Sequence, residues 1–77
     1  MGVVIDGEGH IVVADSSNNR VQVMRADGTH VRTIGSEGNG AGQFKYPCGV
    51  AIDGEGHIVV ADAGNSRVQV LLRLESG

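Results

Sequence analysis

An all-β fold of short antiparallel strands is predicted for this 77-residue chain, and three observations carry the prediction. Residues 2–26 and 49–73 are the same text at eighteen of 25 positions, a repeat with a period of 47. Each copy consists of short runs rich in β-branched residues, separated by clusters of Asp, Asn, Ser and Gly. No stretch carries an apolar stripe at 3.6-residue spacing with helix caps, which sets aside the helical arrays that share this period.

The elements follow in order. Strand a of the first copy, about 2–6, holds Val3, Val4 and Ile5; strand b, 10–15, holds Ile11, Val12, Val13 and Ala14. Both are apolar on both parities, as expected of strands covered on two faces. Strand c, 20–25, begins to alternate in Val21-Gln22-Val23-Met24-Arg25, and strand d, 30–35, carries Arg32 beside apolar neighbours. Burial is therefore expected to fall from the first strand to the fourth. The intervening "DGEG", "DSSNN" and "ADGT" supply residues that tolerate positive φ or hydrogen-bond their own backbone, so tight turns join the strands.

After a connection over 36–48 the second copy repeats strands a, b and c at about 49–53, 57–62 and 67–73. The expected organisation is one blade over 1–35, an inter-blade connection over 36–48, and a second blade over 49–77 that lacks its outer strand. A four-stranded meander at this period is the pattern of a β-propeller blade, and a propeller needs 4–8 blades to close. The chain is thus expected to be a fragment, or a truncated piece, of a longer propeller whose apolar sheet faces require covering.

Composition narrows the function classes. Six Lys and Arg against nine Asp and Glu give a net charge of −3, which does not call for a polyanionic partner. The single cysteine, Cys48, excludes an internal disulfide and suits a reducing compartment. Neither a signal peptide nor an apolar run of membrane-spanning length is present, so a cytoplasmic protein without a membrane partner is expected.

The stretch "YPCGVAIDGEGHIVVADAGNSRVQV" (46–70), its earlier copy "GVVIDGEGHIVVADSSNNRVQV", and "IGSEGNGAGQF" (34–44) resemble NHL repeats, named for Asn-His-Leu, and most of all the C-terminal propellers of tripartite-motif (TRIM) NHL proteins. The resemblance covers almost the whole chain. It implies a six-bladed NHL β-propeller in which the last blade takes its outer strand from the N-terminus. Ubiquitin-ligase activity does not carry over, because the chain has no zinc-ligand Cys/His array.

In a meander the turns alternate ends. The b–c turns and the d-to-a connection therefore share one rim, while "DGEG" and "ADGT" lie on the other. The first rim has the longer loops, where binding residues usually sit on a rigid scaffold. It carries Asn18, Asn19, Arg20, Lys45, Tyr46, Cys48, Asn65, Ser66 and Arg67. The resemblance implies that such loops can bind single-stranded RNA by stacking bases on an aromatic, pairing phosphates with Arg or Lys, and reading base edges with amides. The bland reading of Tyr46 and Pro47 is packing at the joint between blades.

Asp15 with Arg20, and Asp62 with Arg67, flank the same turn in both copies and are expected to form charge-assisted pairs that close it. His10 and His57 follow "DGEG" without the spacing of a known metal site, so no metal or cofactor is expected. No Ser/His/Asp or Cys/His set assembles on one rim, and Cys48 has only Lys45 as a nearby base.

The expected function is a non-enzymatic propeller module that binds a protein or single-stranded RNA through the loop rim. A second reading is a truncated or designed fragment whose main property is self-assembly with copies of itself, three of which would supply six blades. A third, the metal-dependent peptidyl-hydroxyglycine lyase domain on an NHL-like propeller, calls for disulfides and inward-facing metal histidines, and ranks last.

Overall fold

The structure, a computed structural model, describes residues 2–73. Seven strands form: β1 (Val3–Ile5), β2 (His10–Asp15), β3 (Arg20–Arg25), β4 (His30–Ile34), β5 (Pro47–Ile52), β6 (His57–Asp62) and β7 (Arg67–Arg73). The first four make one antiparallel meander, ordered β1-β2-β3-β4; the last three make another, ordered β5-β6-β7. The chain is all-β, as the repeat pattern requires, with the architecture of a propeller-blade fragment. A fourth strand of the second blade, had one followed β7, would fall on residues 74–77, which lie outside the described residues.

Each repeat closes its first hairpin in the same way. The Asp6 carboxylate accepts the amides of Glu8 and His10, both at 2.8 Å, while its other oxygen meets His10 Nδ1 at 2.9 Å. Asp53 does the same for Glu55 and His57. Gly9 and Gly56 close these turns at φ 86° and 87°, a region costly for a residue with a Cβ. Identical local text thus gives identical local geometry.

Packing separates the two copies. In the first sheet Val4 pairs with Val12, Val12 with Val23, and Ala14 with Val21, so these side chains share one face. In the second, Val50 pairs with Val60 and Ile52 with Ile58. These two faces pack together, burying Val12, Val21, Val23, Ile58 and Val60 completely, with Val4, Ile34, Val50, Ile52 and Leu71 around them. Phe44, from the connection, is also fully buried in this core.

Two expectations are corrected. Burial does not fall steadily from the first strand: Val3 and Ile5 of β1 are exposed, and full burial occurs instead on β2, β3 and β6. Each sheet here has one packed face, so an apolar strand is covered on one parity only. The connection is also shorter than 36–48, because β5 starts at Pro47, paired with Asp62. Pro47 lacks an N–H and suits a strand's first residue, and a bulge between Pro47 and Gly49 carries Cys48.

Candidate functional site

The β2–β3 and β6–β7 turns are short 3₁₀ turns, Ser16–Asn18 and Ala63–Asn65. Each ends on a residue in left-handed conformation: Asn19 at φ 54° and Ser66 at φ 52°. The connection from Ser36 to Tyr46 lies across both turns and is tied to each. Ser16 Oγ donates to the Pro47 carbonyl at 2.5 Å, and the Tyr46 amide donates to Asn19 Oδ1 at 2.8 Å. On the other turn, the Gly64 amide donates to the Lys45 carbonyl at 2.7 Å.

The carboxylates that open these turns occupy different surroundings. Asp15, 22% exposed, accepts Arg20 Nε at 2.9 Å and the Asn18 amide. The Arg20 and Asn18 hydrogen bonds hold its carboxyl below the usual carboxylate range. Asp62 is fully buried. It accepts the Lys45 amide at 2.7 Å and Asn65 Nδ2 and Arg67 Nε at 2.9 Å. Burial works to raise its pKa, but these bonds and the Arg67 charge outweigh it and leave the carboxyl lowered.

Arg67 and Asn65 are drawn into the connection. Arg67 donates from Nη1 to the Asn39 carbonyl and from Nη2 to those of Gly40 and Gln43. Asn65 Nδ2 also reaches the Gly38 carbonyl. These bonds staple an otherwise irregular backbone to the sheet, satisfying carbonyls that packing would strand. Asn18 and Arg20 hold Asp15 instead, Asn19 anchors Tyr46, and Ser66 is exposed.

The exposed part of the rim is therefore made by Tyr46, Lys45, Cys48, Ser66 and the first turn. Tyr46 is 59% exposed at φ 53°, the third left-handed non-glycine residue among those described. Beside it, Glu37, Gly38, Asn39, Lys45 and Asn65 line an open cleft of about 240 Å³. On the opposite rim, ligand atoms of Asp6, Glu8 and His10 lie within 4.8 Å of one another. The Asp6 oxygens there already serve the hairpin. Burial works against the charge of Asp6, and the amides of His10 and Glu8 with the His10 ring outweigh it.

Several residues that hold this rim were not legible as such. Gln69 donates to the Gln43 carbonyl at 2.7 Å and accepts the Gly42 amide, and Phe44 plugs the core below. A signal existed in the repeat itself. Gly64 stands where the first copy has Ser17, and a Cβ on Gly64 would lie 2.4 Å from the Lys45 carbonyl oxygen.

No helix among the described residues is long and apolar enough to cross a membrane. The NHL repeat pattern matches residues 2–24 and 44–71. A 28-residue stretch is 61% identical to the "E3 ubiquitin-protein ligase TRIM71" of Xenopus tropicalis, spanning 36% of this chain and 3% of that protein. With the repeat pattern over most of its length and two blade-like meanders in its structure, the chain belongs to the NHL-repeat family.

Proposed function

We propose that this chain is a non-enzymatic propeller interaction module that offers the connector rim to a protein partner, acting in the cytoplasm. The observation that carries this reading is Tyr46. A bulky aromatic in left-handed conformation costs of order 1–3 kcal/mol and persists only where its surroundings impose it. Asn19 holds its amide, Lys45 before it is tied to Asp62 and Gly64, and Pro47 after it is buried. The result is a rigid, exposed aromatic, the residue type that anchors interfaces at low entropic cost.

Single-stranded RNA is the second reading, favoured by Lys45 and Arg20 on the same rim, which would pair phosphates while Tyr46 stacks a base. The net charge of −3 places it behind a protein partner. The ligase chemistry named for the relative lies outside this reading, because the matched stretch is only 3% of that protein.

The test is NMR shift mapping on the chain. Peptides selected from a random library and a degenerate single-stranded RNA oligonucleotide would be titrated separately. Perturbations at Asn18, Arg20, Lys45 and Tyr46, abolished by Tyr46→Ala, are expected. Selected ligands that perturb only the Asp6–His10 rim would overturn the assignment.

A further inference from the structure

Two sheet faces point away from the core. On the first sheet, Val3 and Ile5 are 56% and 65% exposed and share their face with Ile11, Val13, Gln22 and Met24. On the second, Val68 and Val70 are each 65% exposed and share theirs with Ala51, Val59 and Ala61. Such apolar faces on opposite sides of a small chain call for an occupant.

The repeat identifies that occupant. Shifted by one period of 47, the outward set Val3, Ile5, Ile11, Val13, Gln22 and Met24 becomes Val50, Ile52, Ile58, Val60, Gln69 and Leu71, the face that the second sheet buries. Shifted the other way, the outward set Ala51, Val59, Ala61, Val68 and Val70 becomes Val4, Val12, Ala14, Val21 and Val23, the face that the first sheet buries. Nine of these eleven pairs are the same residue. The chain therefore carries, on its two outer sides, both halves of the interface it makes inside itself.

We infer that the outer face of the second sheet docks onto the outer face of the first sheet of another copy of this chain, repeating the internal seam between molecules. The contact is head to tail, each copy using two different faces, so it propagates until it closes in a ring. Three copies give six blades, within the range that closes a propeller. The intermolecular seam does not repeat Phe44, which enters the internal core from the connection within one chain. It is correspondingly the weaker of the two and dissociates first on dilution.

The experiment is sedimentation velocity on the 77-residue chain and on two variants, Ile5→Glu and Val70→Glu. Both sites are exposed, so neither charge enters the variant's own core, and far-ultraviolet circular dichroism verifies the strand signal. The parent is expected to sediment as a discrete trimer and each variant alone as a monomer. Mixed in equal amounts, the variants are expected to form a 1:1 pair, because each keeps the face that the other needs. A monomeric parent would overturn the inference and leave the faces to further blades of a longer chain. So would either variant dimerising alone, since that is like-with-like pairing, and so would a mixture that stays monomeric.

Discussion

The turns Asp15–Arg20 and Asp62–Arg67 share their closing pair and strand register, yet they behave as different objects. Asp15 pairs with Arg20 in 2.9 Å geometry at a partly exposed surface. Asp62 makes the same 2.9 Å bond while fully buried, and its Arg67 reaches onward to three carbonyls of the connection. The difference is the neighbour. One turn has the connection wrapped over its carboxylate, while the other meets it only through Ser16 and Asn19. Equal sequence thus gives equal local geometry but unequal energetic weight, because a pair's worth depends on whether water or protein surrounds it.

That contrast can be broken most severely at Phe44. Phe44→Ala empties a fully buried site in the core shared by both sheets and is expected to cost about 3–5 kcal/mol. Such a loss is a large part of what a small domain has. Urea denaturation followed by circular dichroism measures it, and a midpoint unchanged from the parent would show that the connection does not hold the sheets together.

The twin carboxylates sharpen the comparison directly. Asp62→Ala strands Arg67 and the Lys45 amide and is expected to lose about 3 kcal/mol, in the range for breaking a buried pair. Asp15→Ala should lose under about 1 kcal/mol, as partly exposed pairs do. Equal losses in the two denaturation curves would contradict the role given to the connection.

A smaller effect is expected from exchanging the turn residues. Gly64→Ser, which copies the first turn into the second, drives a Cβ against the Lys45 carbonyl and should cost about 1–3 kcal/mol. The reverse change, Ser17→Gly, lies on an exposed turn and should stay within about 0.5 kcal/mol. If Gly64→Ser proves as silent as Ser17→Gly, the close approach at Lys45 is not a constraint.

The mildest probe is pH. Asp6, Asp15, Asp53 and Asp62 all sit below the usual value of 3.8, so the folded state favours their charged forms. The stability this contributes is fully present above the unfolded value and is lost as pH falls through the lowered folded values. Stability should therefore be level in this respect above about pH 5 and fall below about pH 4. Asp62→Asn should flatten that acid limb. An acid limb as steep as the parent's would take Asp62 out of the pH dependence.

Much of the fold was legible because its signals are local. The "DGEG" hairpins, the β-branched strands and the paired Asp and Arg at each b–c turn all act over a few residues. The rim was less legible. Tyr46 stood out as an aromatic before Pro47, but Phe44, Gln43 and Gln69 act through contacts made only once the connection is docked. The exposure of Val3 and Ile5 could not be read either, since β1 is apolar on both parities and nothing in its text says which side meets a neighbour.

By itself, then, the sequence determined the repeat, the strands, the turns and their internal hydrogen bonds, because each rests on backbone conformation and side chains a few residues apart. Only the tertiary structure decided which face of each sheet is core, why one of two identical ion pairs is buried, and how the connection becomes part of the packing. Those depend on what lies across the seam, and two nearly identical blades cannot have identical surroundings in a chain where one connection packs on only one of them.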